Sequence, residues 1–105
     1  MAPIVPVDDL AAAIELANAS PYGLGANVYT TDLAAALHAS RALEAGTVWI
    51  NDPLTDNDAG PFGGFKRSGL GRELGPEGLE AFLETKHVHL DPRIERKDWW
   101  YPYGR

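Results

Sequence analysis

The stretch Ala26-Asn27-Val28-Tyr29-Thr30-Thr31-Asp32-Leu33-Ala34-Ala35-Ala36-Leu37-His38-Ala39-Ser40-Arg41-Ala42-Leu43-Glu44-Ala45-Gly46-Thr47-Val48-Trp49-Ile50-Asn51 changes its hydrophobic period twice. Ala26 to Thr30 carries the β-branched and aromatic bias of a strand. Thr31-Asp32 then offers side-chain oxygens to the free N–H groups of a helix N-terminus. Leu33, Ala36, Leu37, Ser40 and Leu43 follow at helical spacing, and Gly46 stands where a C-terminal cap belongs. Thr47 to Asn51 returns to strand composition and is apolar at consecutive positions, as a strand covered on both faces of a parallel sheet must be. Strand, helix and strand in so short a span make a βαβ unit.

Upstream, Pro3-Ile4-Val5-Pro6-Val7 reads as a further strand that hands over to a helix capped at Asp8-Asp9. Leu10, Ile14 and Ala17 give that helix one apolar stripe. Ser20-Pro21-Tyr22-Gly23 stops it, because proline disfavours helix in the residue before it. The N-terminal half is thus expected to be α/β with a parallel βαβαβ order and crossover connections.

Downstream the pattern breaks. Residues 52 to 76 are rich in glycine, proline and aspartate with little periodicity, and irregular segments of that length inside compact domains are usually functional or disordered. Glu77 to Leu83 predicts a short helix with Leu79, Phe82 and Leu83 on one side. Thr85 to Leu90 alternates as a strand, with Lys86, Val88 and Leu90 on one face and His87 and His89 on the other. The two histidines can ligate a metal only with further ligands, so a solvent-facing pair is expected. The spacing Gly69-x-Gly71-x-x-x-Gly75 misses the dinucleotide fingerprint by one residue. A tail from Asp91 to Arg105 is charged, then aromatic at Trp99-Trp100-Tyr101.

Composition excludes several classes of function. A net charge of −6, with basic residues that form no stripe, argues against nucleic acid as a partner. No run of 18 apolar residues is present, so no membrane span or secretory signal is visible and a cytoplasmic setting is expected. Cysteine is absent, which removes disulfides, thiolate catalysis and cysteine-held metals from these 105 residues.

Three strings in order carry a resemblance. They are Ser20-Pro21-Tyr22-Gly23-Leu24 running into Ala26-Asn27-Val28-Tyr29-Thr30, then Ala45-Gly46-Thr47-Val48-Trp49-Ile50-Asn51, then Pro61-Phe62-Gly63-Gly64-Phe65-Lys66-Arg67-Ser68-Gly69. The last continues through Gly71-Arg72-Glu73-Leu74-Gly75 to Glu84-Thr85-Lys86. Over roughly residues 2 to 90 the chain resembles the C-terminal portion of the aldehyde dehydrogenase superfamily. The resemblance implies that residues 1–76 end a catalytic domain and include its substrate-entrance loop. It also implies an oligomerisation helix and strand at 77–91, with 92–105 as an aromatic tail.

In that family a cysteine thiolate attacks the aldehyde, hydride passes to the nicotinamide, and activated water releases the acid. The resemblance implies that the thiolate, the general base and the cofactor fingerprint all precede this stretch. The expectation is therefore NAD or NADP in the full-length enzyme, no cofactor on these residues alone, and no turnover by the isolated chain. The partners implied are a small-molecule aldehyde and a homo-oligomer (dimer or tetramer) or a separate N-terminal portion. A non-catalytic interaction module is the alternative.

The resemblance also assigns sites. Asn51 to Pro61 corresponds to the aldehyde entrance, which brings Asp52, Leu54 and Asp56 to the substrate side, and Phe62 matches an aromatic beside the substrate. Read from the residues alone, Phe62 packs a turn onto the core equally well. Asp52, Asp56 and Asp58 would favour a cationic aldehyde, as in the betaine-aldehyde and aminoaldehyde group, or else are simply solvated. Arg72 and Glu84 match an ionic network at the dimer interface, with an ordinary surface pair worth ~0 to 1 kcal/mol as the alternative. Lys86, Val88 and Leu90 lie on the strand that extends a partner's sheet.

Overall fold

The computed structural model describes residues 2–52, 55, 57–97, 99 and 100. Helix α1 spans Leu10–Asn18 and opens on Asp9, whose carboxylate accepts from the Ala12 N–H at 2.8 Å. Helix α2 spans Leu33–Ala42, and Asp32 accepts from the N–H groups of Ala34 and Ala35 at 2.8 and 3.2 Å. Both starts follow from an acidic side chain that satisfies donors the helix itself cannot. Between the helices run β1 (Tyr22–Gly23) and β2 (Gly25–Val28); β3 (Thr47–Ile50) follows α2. The chain then forms β4 (Phe65–Lys66) and α3 (Gly75–Glu80).

β2 and β3 pair in parallel with the register Gly25↔Thr47 to Val28↔Ile50, joined through α2. β1 and β4 pair antiparallel as a separate small sheet, Tyr22↔Lys66 and Gly23↔Phe65. The βαβαβ expectation is corrected to a single βαβ unit. Residues 2–7 make no strand. Pro3 and Pro6 give no ladder donor, and among the described residues no strand pairs with the segment.

The expected cap at Gly46 is also corrected. α2 ends at Ala42 with the extended Leu43 as its cap residue, and Gly46 serves as a point of close backbone approach instead. Its N–H donates to the Gly23 carbonyl at 3.0 Å, and a Cβ there would lie 1.6 Å from the Gly63 oxygen. Only glycine lets main chain cross main chain at that distance.

α1 and α2 are tied at their ends by Asn18, which donates to the Ala42 carbonyl at 2.8 Å and accepts from the Glu44 N–H at 2.9 Å. The core they share is small. Among the described residues Ile14, Ala36 and Ala39 are the buried apolar side chains, and a groove of about 270 Å³ beside Ile14, Val28 and Leu43 is left unfilled.

Toward the C-terminus, α3 forms two residues ahead of the predicted helix and does not bury its apolar side. Leu79, Phe82 and Leu83 are all exposed. No strand forms at 85–90, where Lys86, Val88 and Leu90 lie exposed with no neighbour to complete a ladder. The overall extents of 76 × 29 × 29 Å reflect this departure from a ball.

Candidate functional site

Two local structures carry the residues of interest. The first lies at the C-terminal ends of β2 and β3. Asn51, with φ +59°, follows the last paired residue of β3. Its amide accepts from the Thr30 N–H and donates to the Thr30 carbonyl, both at 2.8 Å. Thr30 Oγ1 accepts from the Asp32 N–H at 3.0 Å and so joins the strand end to the α2 cap. A recess of about 370 Å³ opens here, lined by Thr30, Asp32, Leu33, Ala36, Ile50 and Asn51. Open α/β folds present their ligand-binding loops at this end of the strands.

The chain leaves that recess through Asp52, which is exposed; its carbonyl and carboxylate both lie 3.4 Å from Thr55 Oγ1. Trp49 Nε1 donates to the Thr55 carbonyl at 2.7 Å and folds the start of the loop back on β3. Leu54 and Asp56 lie outside the described residues. Asp58 is exposed, and its carbonyl accepts from the Gly75 N–H at 2.9 Å.

The second structure is the glycine-rich segment. Phe62 and Glu73 face each other across an antiparallel bridge, exchanging N–H to carbonyl bonds of 2.7 and 2.8 Å. Arg72 lies inside the loop so closed. One of its guanidinium nitrogens donates to the carbonyls of Gly71 (2.6 Å) and Gly64 (3.2 Å), and its guanidinium carbon sits 5.4 Å from the Phe65 ring centroid. Phe62 is half-buried and lines a recess of about 420 Å³ with Leu24, Ser68, Arg72 and Ala81.

Lys66 fastens this segment to the layer of helices. Its ammonium donates to the carbonyls of Asn18 (2.7 Å) and Ser20 (3.1 Å) and pairs with the Glu44 carboxylate at 2.6 Å. Each of its three N–H groups has an acceptor. Ser68 Oγ accepts from the Gly23 N–H at 2.9 Å, beside the β1–β4 pairing. Lys66, Ser68, Asn18 and Thr30 were not legible as functional positions, because their partners lie far away in sequence.

Arg72 and Glu84 are not brought together in this chain; one guanidinium nitrogen of Arg72 is held by backbone carbonyls, and Glu84 is exposed. The rings of His87 and His89 stand 6.5 Å apart, and no cluster of three metal-binding side chains occurs among the described residues. In the tail, the Lys97 ammonium and then the Arg93 N–H hold the exposed Asp91 carboxyl below the usual carboxylate range. No helix among the described residues is long and apolar enough to cross a membrane.

The glycines at 69, 71 and 75 do have positive φ, but β4 ends at Lys66 and the six-residue α3 starts only at Gly75. The strand–turn–helix cradle of a dinucleotide site is not made by these residues.

Taken together, these features define an α/β chain whose loop leaves the C-terminal edge of a parallel sheet. A family model for the aldehyde dehydrogenase family matches residues 1–88, and the chain belongs to that family. It is 48% identical over 83 residues to aldehyde dehydrogenase (NAD(P)+) 1 of Saccharomyces cerevisiae, covering 79% of this chain and 16% of that protein. It is 49% identical over 85 residues to the cytosolic aldehyde dehydrogenase 1 of Rattus norvegicus, covering 81% and 17%. The chain therefore spans about a sixth of the length of these curated relatives.

Among solved structures, the NAD+ complex of an aldehyde dehydrogenase from Bacillus cereus superposes with a TM-score of 0.80 at 45% identity, over 85% of this chain and 18% of that one. A betaine aldehyde dehydrogenase from Staphylococcus aureus in complex with NAD+ gives 0.79 at 41% identity, over 91% and 19%.

Proposed function

We propose that these residues form the C-terminal part of an NAD(P)-dependent aldehyde dehydrogenase that oxidises an aldehyde to a carboxylic acid. They supply the wall of the aldehyde entrance and a surface for association, while the thiolate and the cofactor pocket come from other residues. The observation that carries this reading is the loop that leaves β3 at Asn51 and Asp52, beside the recess at the C-terminal strand ends. The absence of cysteine means that no residue here can act as the thiolate.

Asp52 and Asp58 face solvent, so their charge reaches an approaching substrate with little competition from bound partners. A cationic aldehyde gains from that field and a neutral one does not, with the gain fading as salt shortens the Debye length toward ~8 Å. Association follows from the exposed apolar side chains of Leu79, Phe82, Val88, Leu90 and Ile94, which a dimer or tetramer would cover.

The test is complementation. A relative truncated of the matching segment is mixed with this chain, and NADH is followed with betaine aldehyde and with a neutral aldehyde of similar size. Neither piece alone should reduce NAD+, and the mixture should. Asp52→Asn with Asp58→Asn should lower kcat/KM for the cation about threefold to tenfold at low salt and leave the neutral substrate unchanged. Reduction of NAD+ by the isolated chain would overturn the reading.

A further inference from the structure

In the parallel ladder the Asn51 N–H donates to the Val28 carbonyl at 2.9 Å, directly after the pairing Val28↔Ile50. One further step of such a ladder would bond the Thr30 N–H to the main-chain oxygen of residue 51. The Thr30 carbonyl would next accept from residue 53, but that residue is a proline and has no N–H to give. Main chain alone therefore cannot complete that step. The Asn51 side chain supplies both partners, with Oδ1 in place of its own carbonyl and Nδ2 in place of the donor that the proline lacks, each at 2.8 Å.

A carboxamide has the same donor and acceptor pair as a peptide group, and only one of its two orientations fits. The flipped amide would set NH2 against N–H and oxygen against oxygen. The backbone of Asn51 is meanwhile left-handed, at φ +59°, a region that asparagine enters at little cost.

We infer that Asn51 is a positioning residue whose side chain completes the β2–β3 ladder by one step, so that the main chain is free to turn out of the sheet and start the entrance loop at a fixed point. Thr30 is the natural counterpart, since its hydroxyl is already bonded to the Asp32 N–H that opens α2. The staple thereby fixes the loop's exit relative to both the sheet and the helix that line the recess. The effect on substrate rests on the proposed entrance-loop function; the staple itself does not.

The decisive variant is Asn51→Asp. It keeps the size and the acceptor but replaces the donor with an anion that faces the Thr30 carbonyl. Protonation restores an O–H donor, so the defect should be reversed by acid, which a merely space-filling role would not show. In the assembled enzyme at pH 7.5, hydrogen exchange of the Thr30 amide should speed about tenfold relative to the unsubstituted protein, while the Ala34 and Ala35 amides stay unchanged. KM for the aldehyde should rise by about the same factor with kcat nearly constant, the pattern of lost uniform binding. Both differences should shrink as pH falls through the titration of the new carboxyl.

Asn51→Gly, which keeps the backbone geometry but has no amide, should show the same defects at every pH. Normal Thr30 exchange in Asn51→Asp at pH 7.5, or a defect that acid does not reverse, would overturn the staple. Fast exchange with an unchanged KM would overturn its role in positioning the loop. If the unsubstituted assembly oxidises no aldehyde, the functional reading fails while Thr30 exchange still decides the staple.

Discussion

A methyl group added at Gly46 would place a carbon 1.6 Å from the Gly63 oxygen and 2.7 Å from its carbonyl carbon. Both are main-chain atoms, so no rotamer change can relieve the overlap and the two segments must part. In the assembled enzyme Gly46→Ala is expected to lower stability by at least about 3 kcal/mol, read as a fall in the urea midpoint by far-UV circular dichroism. Gly60→Ala is the matched control, since its nearest neighbours stand 3.6 Å away on Asn57, and it should change stability by less than ~0.5 kcal/mol. Sequence alone makes Gly46 a helix cap, because a glycine after a helix has that local meaning. The segment that presses on it comes later in the chain and leaves no mark near position 46. Asn51 was legible as the end of a strand, yet its amide has a purpose only once the parallel register with Val28 and Ile50 is known.

At the scale of elements, α1 ends without a basic residue in its last turn, and Lys66 supplies the missing cation from 48 residues away. Two contributions are present: hydrogen bonds to carbonyls at the negative end of the helix, and an ion pair with Glu44. The Glu44 side chain is 55% exposed, so water screens the pair, whereas the Lys66 side chain is only 25% exposed. Lys66→Met should therefore lower the stability of the assembled enzyme by about 2 kcal/mol, and Glu44→Gln by no more than ~0.5 to 1 kcal/mol, in chemical denaturation. Equal losses would show that the ion pair, rather than the capping, carries the effect. The two helices and the β2–β3 unit were legible because Asp9, Asp32 and the change of period are local signals. The strand read at Pro3 to Val7 and the one at Thr85 to Leu90 were not realised, because a strand exists only when another backbone lies beside it. Hydrophobic alternation reports a face to be covered and is silent about who covers it.

The whole molecule has a radius of gyration of 22.8 Å, against ~13 Å for a compact chain of about 100 residues. The three apolar side chains buried among the described residues cannot offset the conformational entropy of ordering such a chain, which runs near 1 to 2 kcal/mol per residue for the backbone alone. Purified by itself, the chain is expected to scatter light as oligomers and to bind an apolar dye, with weak near-UV dichroism from Trp49; addition of the complementary part of a dehydrogenase should sharpen that signal. A monomer with strong near-UV dichroism would contradict this picture.

The Lys66 contact also has a meaning in time. A ribosome releases α1, β2, α2 and β3 before residue 66, so the parallel unit can close while the carbonyls of Asn18 and Ser20 are still hydrated. Those carbonyls stay open to water until the segment from Phe65 to Ser68 emerges and threads its lysine beneath them. The order in which the chain is born thus separates what it can fold at once from what it must wait to lock.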